Sequence, residues 1–286
     1  MKDYLELTKP RITWLILMST AVGYYFGHRA LGSAEWNLLS ILHAILGTGL
    51  IASGTAALNQ WYEREADAKM YRTAKRPIPD GRLAPNRALM FGTILSVIGF
   101  AELSLFLNPL TGALGALTLL SYLFIYTPLK QRTHLSTLIG AFPGAMPPLI
   151  GYAAANGSLT AEAWILFAIL FLWQFPHFLA IAWMYREDYA RAGIVMLPVV
   201  QPSGESTARQ MVLYSLALIP VSMLPTAFGM SGKLYVAGAM ALGLWFLYSG
   251  LRVAFDRTIL RARRVLIVSV YYLPLIYGLM LLDRQL

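Results

Sequence analysis

Residues 163–184 read AWILFAILFLWQFPHFLAIAWM. These 22 residues contain no Asp, Glu, Lys or Arg. As a helix the stretch is ~33 Å long, enough to cross a hydrocarbon core of about 30 Å. Similar apolar runs lie on both sides of it, at about 11–27, 37–58, 88–107, 110–127, 137–155, 210–229, 233–251 and 265–282. Gly and Pro interrupt the runs at 110–127 and 137–155, which a helix tolerates where neighbours or a cavity satisfy its backbone. The expected fold is therefore an all-α integral membrane protein, with nine transmembrane helices in one bundle and residues 1–286 as a single polytopic domain.

Composition agrees. Hydrophobic residues make up 57% of the chain and charged residues 13%, with a mean hydropathy of +0.57. A soluble domain carries about 25% charged residues, so this chain has too little polar surface to cover a water-facing fold. Its net charge of +9 borders the apolar runs. On the nine-span topology, 20 of the 23 Lys and Arg fall on one side, and only Arg29, Lys233 and Arg284 on the other. Positive charge marks the cytoplasmic side, so the N-terminus is expected there and the C-terminus opposite. The cytoplasmic loops are then about 59–87, 128–136, 185–209 and 252–264. The positive charge thus reports topology rather than nucleic-acid binding. The absence of cysteine excludes disulfides, thiolate metal sites and a Cys nucleophile. Met1-Lys2-Asp3-Tyr4 opens no cleavable signal pattern, so the first apolar run is expected to stay as a membrane helix.

The chemistry-bearing residues gather at the cytoplasmic ends of spans. Asn59, Glu63 and Asp67 are spaced by four, which puts all three on one helix face over roughly 12 Å. Acids at that spacing repel unless a cation lies between them. Lys69, Arg72, Lys75 and Arg76 follow, then Pro77, Pro79, Gly81 and Pro85, which stop the helix and fold the loop back. Acids followed by bases suit a metal–polyphosphate pair: carboxylates hold Mg²⁺, which shares its oxygen ligands with phosphate, and Lys and Arg neutralise the rest. Read alone, the acids also fit a solvated helix end. A second cluster runs from His177 to Asp188. On one continuous helix these two share a face, with His177 roughly 16 Å deeper; a hydrogen-bonded structural histidine and a helix-capping Asp188 are the plainer roles. Tyr126, Lys130 and Arg132 form a third patch, which fits positive-inside anchoring or two more cations for a phosphate. His43 and Glu102 have no evident partner, and read as packing and as an outer-interface residue. Tyr62-Glu63-Arg64-Glu65-Ala66-Asp67 and Tyr185-Arg186-Glu187-Asp188 each follow a span, four spans apart. This faint echo points to two four-helix repeats plus a ninth helix.

The pattern Asn59-x3-Glu63-x3-Asp67, then Arg72-Thr73-x2-Arg76-Pro77-x3-Gly81, resembles the intramembrane prenyltransferases of the UbiA superfamily. The stretches Tyr126-Thr127-x-Leu129-Lys130-x-Arg132-Thr133, Gly144-Ala145-x-Pro147-Pro148-x2-Gly151 and His177-Phe178 narrow the resemblance. So do Asp188-Tyr189-x2-Ala192-Gly193-x2-Met196-Leu197-Pro198 and the opening Leu7-Thr8-Lys9-Pro10-Arg11. Together they are similar to the haem-farnesylating branch, from about residue 7 through the last span. Two departures from the wider superfamily, Glu63 in place of the common Asp and a single Asp188 between Tyr185 and Tyr189, are typical of that branch.

The resemblance implies a bacterial cytoplasmic (inner) membrane enzyme that joins farnesyl diphosphate to haem B, giving haem O and diphosphate with Mg²⁺. Haem A synthase or terminal oxidase assembly are the implied partners. Asn59, Glu63, Asp67 and Asp188 are expected to hold the metal, with Asp188 completing or supporting the site. Arg72, Arg76, Lys130, Lys69 and Arg132 are expected at the phosphates. His177 is the candidate haem ligand or neighbour of the reacting vinyl, and Tyr126 a further substrate contact. Tyr62, Trp173, Phe178 and Tyr185 are candidates to face a carbocation, or are simple packing. Two other readings stay open: the same fold acting on a quinone precursor or chlorophyllide, and a transporter without chemistry. A second motif with two or three aspartates would mark the first, and charges lining spans at the midplane the second.

Overall fold

The computed structural model describes residues 1–32 and 37–284. Among these residues it is all helical apart from one isolated bridge between Ser231 and Arg284. The helices are α1 (Lys2–Leu7), α2 (Pro10–Ala30), α3 (Leu38–Tyr62), α4 (Arg64–Ala68), α5 (Pro85–Phe106) and α6 (Pro109–Leu120). They continue with α7 (Ser136–Gly144), α8 (Pro147–Asn156), α9 (Ala161–Met184), α10 (Arg186–Arg191), α11 (Glu205–Val221), α12 (Lys233–Phe255) and α13 (Ile259–Leu282).

Local chemistry starts these helices where the apolar runs begin. Asn37 caps α3 by accepting from the Ser40 N–H at 3.0 Å. Asn108 caps α6 by accepting from the Thr111 N–H at 2.9 Å. Proline opens α2, α5, α6 and α8, where its missing N–H has no partner to lose. Thr258 caps α13 through the Arg261 N–H. This helix therefore begins six residues before the expected 265, with Arg261, Arg263 and Arg264 in its first turns.

Among the described residues, eight segments are long and apolar enough to cross a membrane: Leu38–Tyr62, Pro85–Phe106, Pro109–Leu129, Ser136–Asn156, Ala161–Met184, Glu205–Ala227, Lys233–Phe255 and Ile259–Leu282. The first expected span coincides with α2. That helix is also of crossing length, at 21 residues, but buries Ser19, Thr20 and His28 and is not among the eight. Residues 136–156 form one span broken at Ala145, where α7 ends and Pro147-Pro148 restarts the helix as α8.

Packing joins neighbours in the chain and distant helices alike. Helix α3 packs chiefly on α5, α2 on α8, and α9 on α11 and α13. The α2–α8 seam is close because Gly151 has no Cβ; one would overlap the Thr20 carbonyl. Large side chains that remain exposed, among them Leu46, Leu105, Phe124, Trp164 and Tyr271, form the apolar exterior a bilayer requires. Polar ties cross the core. The Trp173 indole donates to the Ser269 carbonyl at 2.8 Å, and Ser222 and Tyr272 share a hydrogen bond at 2.7 Å. His43 and Glu102 prove to be partners, with Nδ1 to Oε1 at 2.6 Å, and the imidazole stacks on Phe106. Their separation of 59 residues hid this pair from a linear reading.

Candidate active site

The helices leave a cavity of about 530 Å³ at the end of the bundle where α3 runs into α4. Helix α3 stops at Tyr62, Glu63 sits at the break, and α4 continues. The hydrogen-bond ladder survives the break: Glu63 N–H donates to the Asn59 carbonyl at 2.9 Å, and Asp67 N–H to the Glu63 carbonyl at 2.8 Å. Asn59, Glu63 and Asp67 consequently all line the one cavity. The opposing wall comes from Tyr122, Tyr126 and Lys130. Residues 121–126 form a π-helix, a wider turn often found at functional sites, and both tyrosines lie in it. Gly140 and Gly144 face this wall; a Cβ on Gly144 would overlap the Gln174 amide.

The acids of the cavity are matched with bases. Lys130 Nζ donates to Glu63 Oε1 at 2.8 Å, and Arg76 Nη1 to Asp67 Oδ2 at 2.6 Å. The Lys130 ammonium also lies 4.5 Å from the Tyr126 ring centroid and 6.0 Å from that of Tyr122. Burial alone would raise the Glu63 carboxyl, but Lys130, then Lys9 and Arg76, outweigh it and hold the group below its ordinary range. Lys130 is held well above its ordinary value, because Glu63 and the two tyrosines outweigh its own burial. Lys9 moves the other way: burial first, then Arg76 and Lys130, lower it to about 7.

The donor set fits a hard divalent cation shared with phosphate. Asp67 is 0% exposed and its Oδ1 has no hydrogen-bond partner, an arrangement that costs free energy unless something accepts the lone pair. Asn59 spends its Nδ2 on Thr127 Oγ1 at 3.3 Å, which leaves its amide oxygen available. Among the described residues no group of three or more His, Asp or Glu is arranged to hold a metal without help. Such a sparse oxygen set matches Mg²⁺, which takes one or two carboxylates and completes its shell with water and substrate phosphate.

Other expected site residues are placed differently. Arg72 lines the cavity, with its guanidinium 5.1 Å from the Tyr185 ring centroid and 6.0 Å from that of Tyr189. Asp188 lies outside the cavity lining. Its carboxylate accepts from the backbone N–H groups of Tyr71 at 3.4 Å and Arg72 at 3.2 Å, and pairs with Arg191. His177 is also outside the lining: Nδ1 bonds Ser269 Oγ at 2.7 Å and the ring stacks on Trp173. The expected shared face of His177 and Asp188 assumed one helix, whereas α9 ends at Met184 and Tyr185 (φ −112, ψ 22) turns the chain before α10. Lys69 and Arg132 are exposed and do not line the cavity. Of the candidate aromatics only Phe178 does; Tyr62 is exposed, Trp173 is spent on Ser269, and Tyr185 lies against Arg72.

The sequence reading passed over Lys9, Tyr122, Gln174, Met70 and Met196 as cavity residues. Tyr122 carried a readable signal, since Tyr122, Tyr126 and Lys130 are spaced by four. A second, apolar pocket of about 140 Å³ adjoins the first. It is lined by Ile16, Thr48, Ile51, Ala56, Pro147 and Ile150 among others, and shares Lys9, Ile12, Tyr122 and Gly144 with the polar cavity.

The chain is similar to known proteins along most of its length. Residues 16–273 match the UbiA prenyltransferase family. The chain is similar to a protein named protoheme IX farnesyltransferase from Solibacter usitatus (strain Ellin6076), at 67% identity over 99% of each chain. It is also similar to one of the same name from Koribacter versatilis (strain Ellin345), at 45% identity over 99% of this chain and 94% of that one. The fold resembles solved structures at low identity. One is digeranylgeranylglyceryl phosphate synthase, with TM-score 0.80, 19% identity, and 99% of this chain and 97% of that chain covered. Another is a UbiA homolog from Archaeoglobus fulgidus bound to DMAPP and Mg²⁺, with TM-score 0.66, 15% identity, and 97% and 99% covered. With most of its length matched by the family model, and relatives this similar from end to end, the chain belongs to the UbiA prenyltransferase family.

Proposed function

We propose that the chain is a membrane farnesyltransferase that joins farnesyl diphosphate to the vinyl group of haem B, giving haem O and diphosphate. The observation that carries this reading is the pair of joined cavities. One is lined by acids and cations, the other by apolar side chains, as a substrate with an anionic head and a greasy tail requires. The end-to-end similarity to proteins named protoheme IX farnesyltransferase selects haem B over a quinone precursor or chlorophyllide.

Asn59, Glu63 and Asp67 would hold Mg²⁺ against the diphosphate, where the ion supplies charge neutralisation of the leaving group. Arg72, Arg76 and Lys130 bind phosphate oxygens; Arg76 and Lys130 exchange their bonds to Asp67 and Glu63 for bonds to the substrate. These fixed cations stabilise the charge that grows as the carbon–oxygen bond breaks. The farnesyl carbon then bonds the haem vinyl group, water supplies the hydroxyl of the product's hydroxyethyl group, and one proton is released. Tyr122 and Tyr126 present ring faces to the allylic cation. Asp188 acts as a positioning residue, tying the loop that carries Arg72 to the α9–α10 corner. Ile12 and Phe178, both partly exposed at the cavity wall, form an apolar approach for haem.

The cavity opens to the cytoplasm, α2 is the ninth crossing, and the C-terminus lies on the far side of a bacterial inner membrane; the Lys and Arg asymmetry supports this orientation. Delivery of haem O to haem A synthase or to terminal oxidase assembly rests on the family resemblance. Purified protein with Mg²⁺ and farnesyl diphosphate should release diphosphate only when haem B is supplied. Asp67→Asn, which keeps shape and removes charge, should cut turnover at least ~100-fold. Diphosphate release without haem, or full activity in Asp67→Asn, would refute the reading.

A further inference from the structure

We propose that Lys9 is a catalytic residue that contacts the diphosphate at the oxygen whose bond to the farnesyl carbon breaks. The inference rests on the farnesyl-transfer reading above and adds a group to it. A substrate with a charged head in the polar cavity and a chain in the apolar pocket must place its linking bond at their common boundary. Four residues line both spaces, Lys9, Ile12, Tyr122 and Gly144, and Lys9 alone among them is charged.

Pairing the charges of the cavity leaves two cations over, Arg72, which lies against the Tyr185 and Tyr189 rings, and Lys9. Glu63 is matched by Lys130, Asp67 by Arg76, and Glu6 by Arg82. Among the described residues the Lys9 ammonium makes no hydrogen bond and no ion pair. A cation at a cavity wall, half-buried and without an acid of its own, suits an incoming anion.

The backbone makes the same point independently. Lys9 has φ 48 and ψ 60, and it is the single non-glycine residue at positive φ among those described. Pro10 follows and starts α2, fixing the corner. Side chains with a Cβ resist this conformation, and glycine adopts it freely. Strain of this kind persists at sites where the side chain is needed. As the bond lengthens, its electron pair moves to the diphosphate oxygen, and an ammonium fixed there gains more in the transition state than in the bound substrate. The carbon left behind forms its new bond to the vinyl group, diphosphate departs with the electron pair, and Lys9 is unchanged at the end.

Glycine at this position separates the two roles. Lys9→Gly in the full chain should melt at or above the wild-type temperature, because the corner relaxes. Its kcat should fall about 100-fold with the KM for farnesyl diphosphate within about threefold. Lys9→Arg should recover part of the rate, and Lys9→Met should repeat the loss if Lys9→Gly does not fold. Wild-type kcat in Lys9→Gly or Lys9→Met would overturn the proposal, as would a raised KM with kcat unchanged. Wild-type transfer to haem B, measured alongside, tests the functional reading on its own.

Discussion

Asp67 and Arg76 illustrate how the single residues of this site are balanced. The carboxylate is fully buried and the guanidinium one-fifth exposed, so each depends on the other for its place. Removing one partner of such a pair costs about 3–5 kcal/mol. Lys9 presents the opposite case, a buried amine that shares the nearby Glu63 and Asp67 charges with Arg76 and Lys130. Its amine is held at about 7, against 10.5 in an unfolded chain. Between those values the unfolded chain binds the extra proton, so stability contributed by this group climbs as pH rises from 7 towards 10.5 and is absent below 7. The wild-type melting temperature should therefore rise over this range relative to that of Lys9→Met; parallel curves for the two proteins would refute this. Much of the cavity was legible at this scale. Asn59, Glu63, Asp67, Arg72, Arg76, Tyr126 and Lys130 announce themselves by charge and spacing, because one helix and its following loop carry most of them. Lys9 was quoted only as part of a motif, and nothing along the chain indicates that residue 9 faces residue 63.

At the scale of elements, two corners built alike meet at the site. Helix α3 breaks at Glu63 into α4, and α9 breaks at Tyr185 into α10. The second corner grips the loop after the first, through Asp188 and the N–H groups of Tyr71 and Arg72, with the Arg191 guanidinium 3.9 Å from the Tyr71 ring centroid. Hydrogen bonds to a charged acceptor are worth about 1.5–3 kcal/mol each. Asp188→Ala should accordingly speed amide hydrogen exchange across residues 69–76 and raise the KM for farnesyl diphosphate roughly 10-fold. An altered Mg²⁺ requirement with unchanged exchange would instead make Asp188 a metal ligand. The faint echo between the two motifs was readable in the sequence. Its meaning was not, since a periodicity argument assumes an unbroken helix, and both helices break where the motifs start. The π-helix at 121–126 is equally silent in sequence, because it changes the turn without changing the hydrophobic pattern.

Across the whole molecule, the apolar runs fixed eight helices of crossing length and their approximate ends, because lipid demands the same thing of every one. The first run, 11–27, was read as a span as well and coincides with α2, which buries polar side chains and is not among those eight. The chain has no native cysteine, so sidedness can be read directly from single introduced thiols. Lys75→Cys should react with an impermeant maleimide from the cytoplasm, and Lys233→Cys from the opposite face. Labelling of both from one side would break the nine-crossing topology. The polar cavity sits at one rim of the bundle, with Ile12 and Phe178 partly exposed at its wall. Reactants that arrive by that route are themselves dissolved in the lipid phase. The quantity that governs velocity is then their mole fraction among surrounding lipids, and added detergent should slow the reaction by thinning them out in two dimensions even at constant amounts per millilitre.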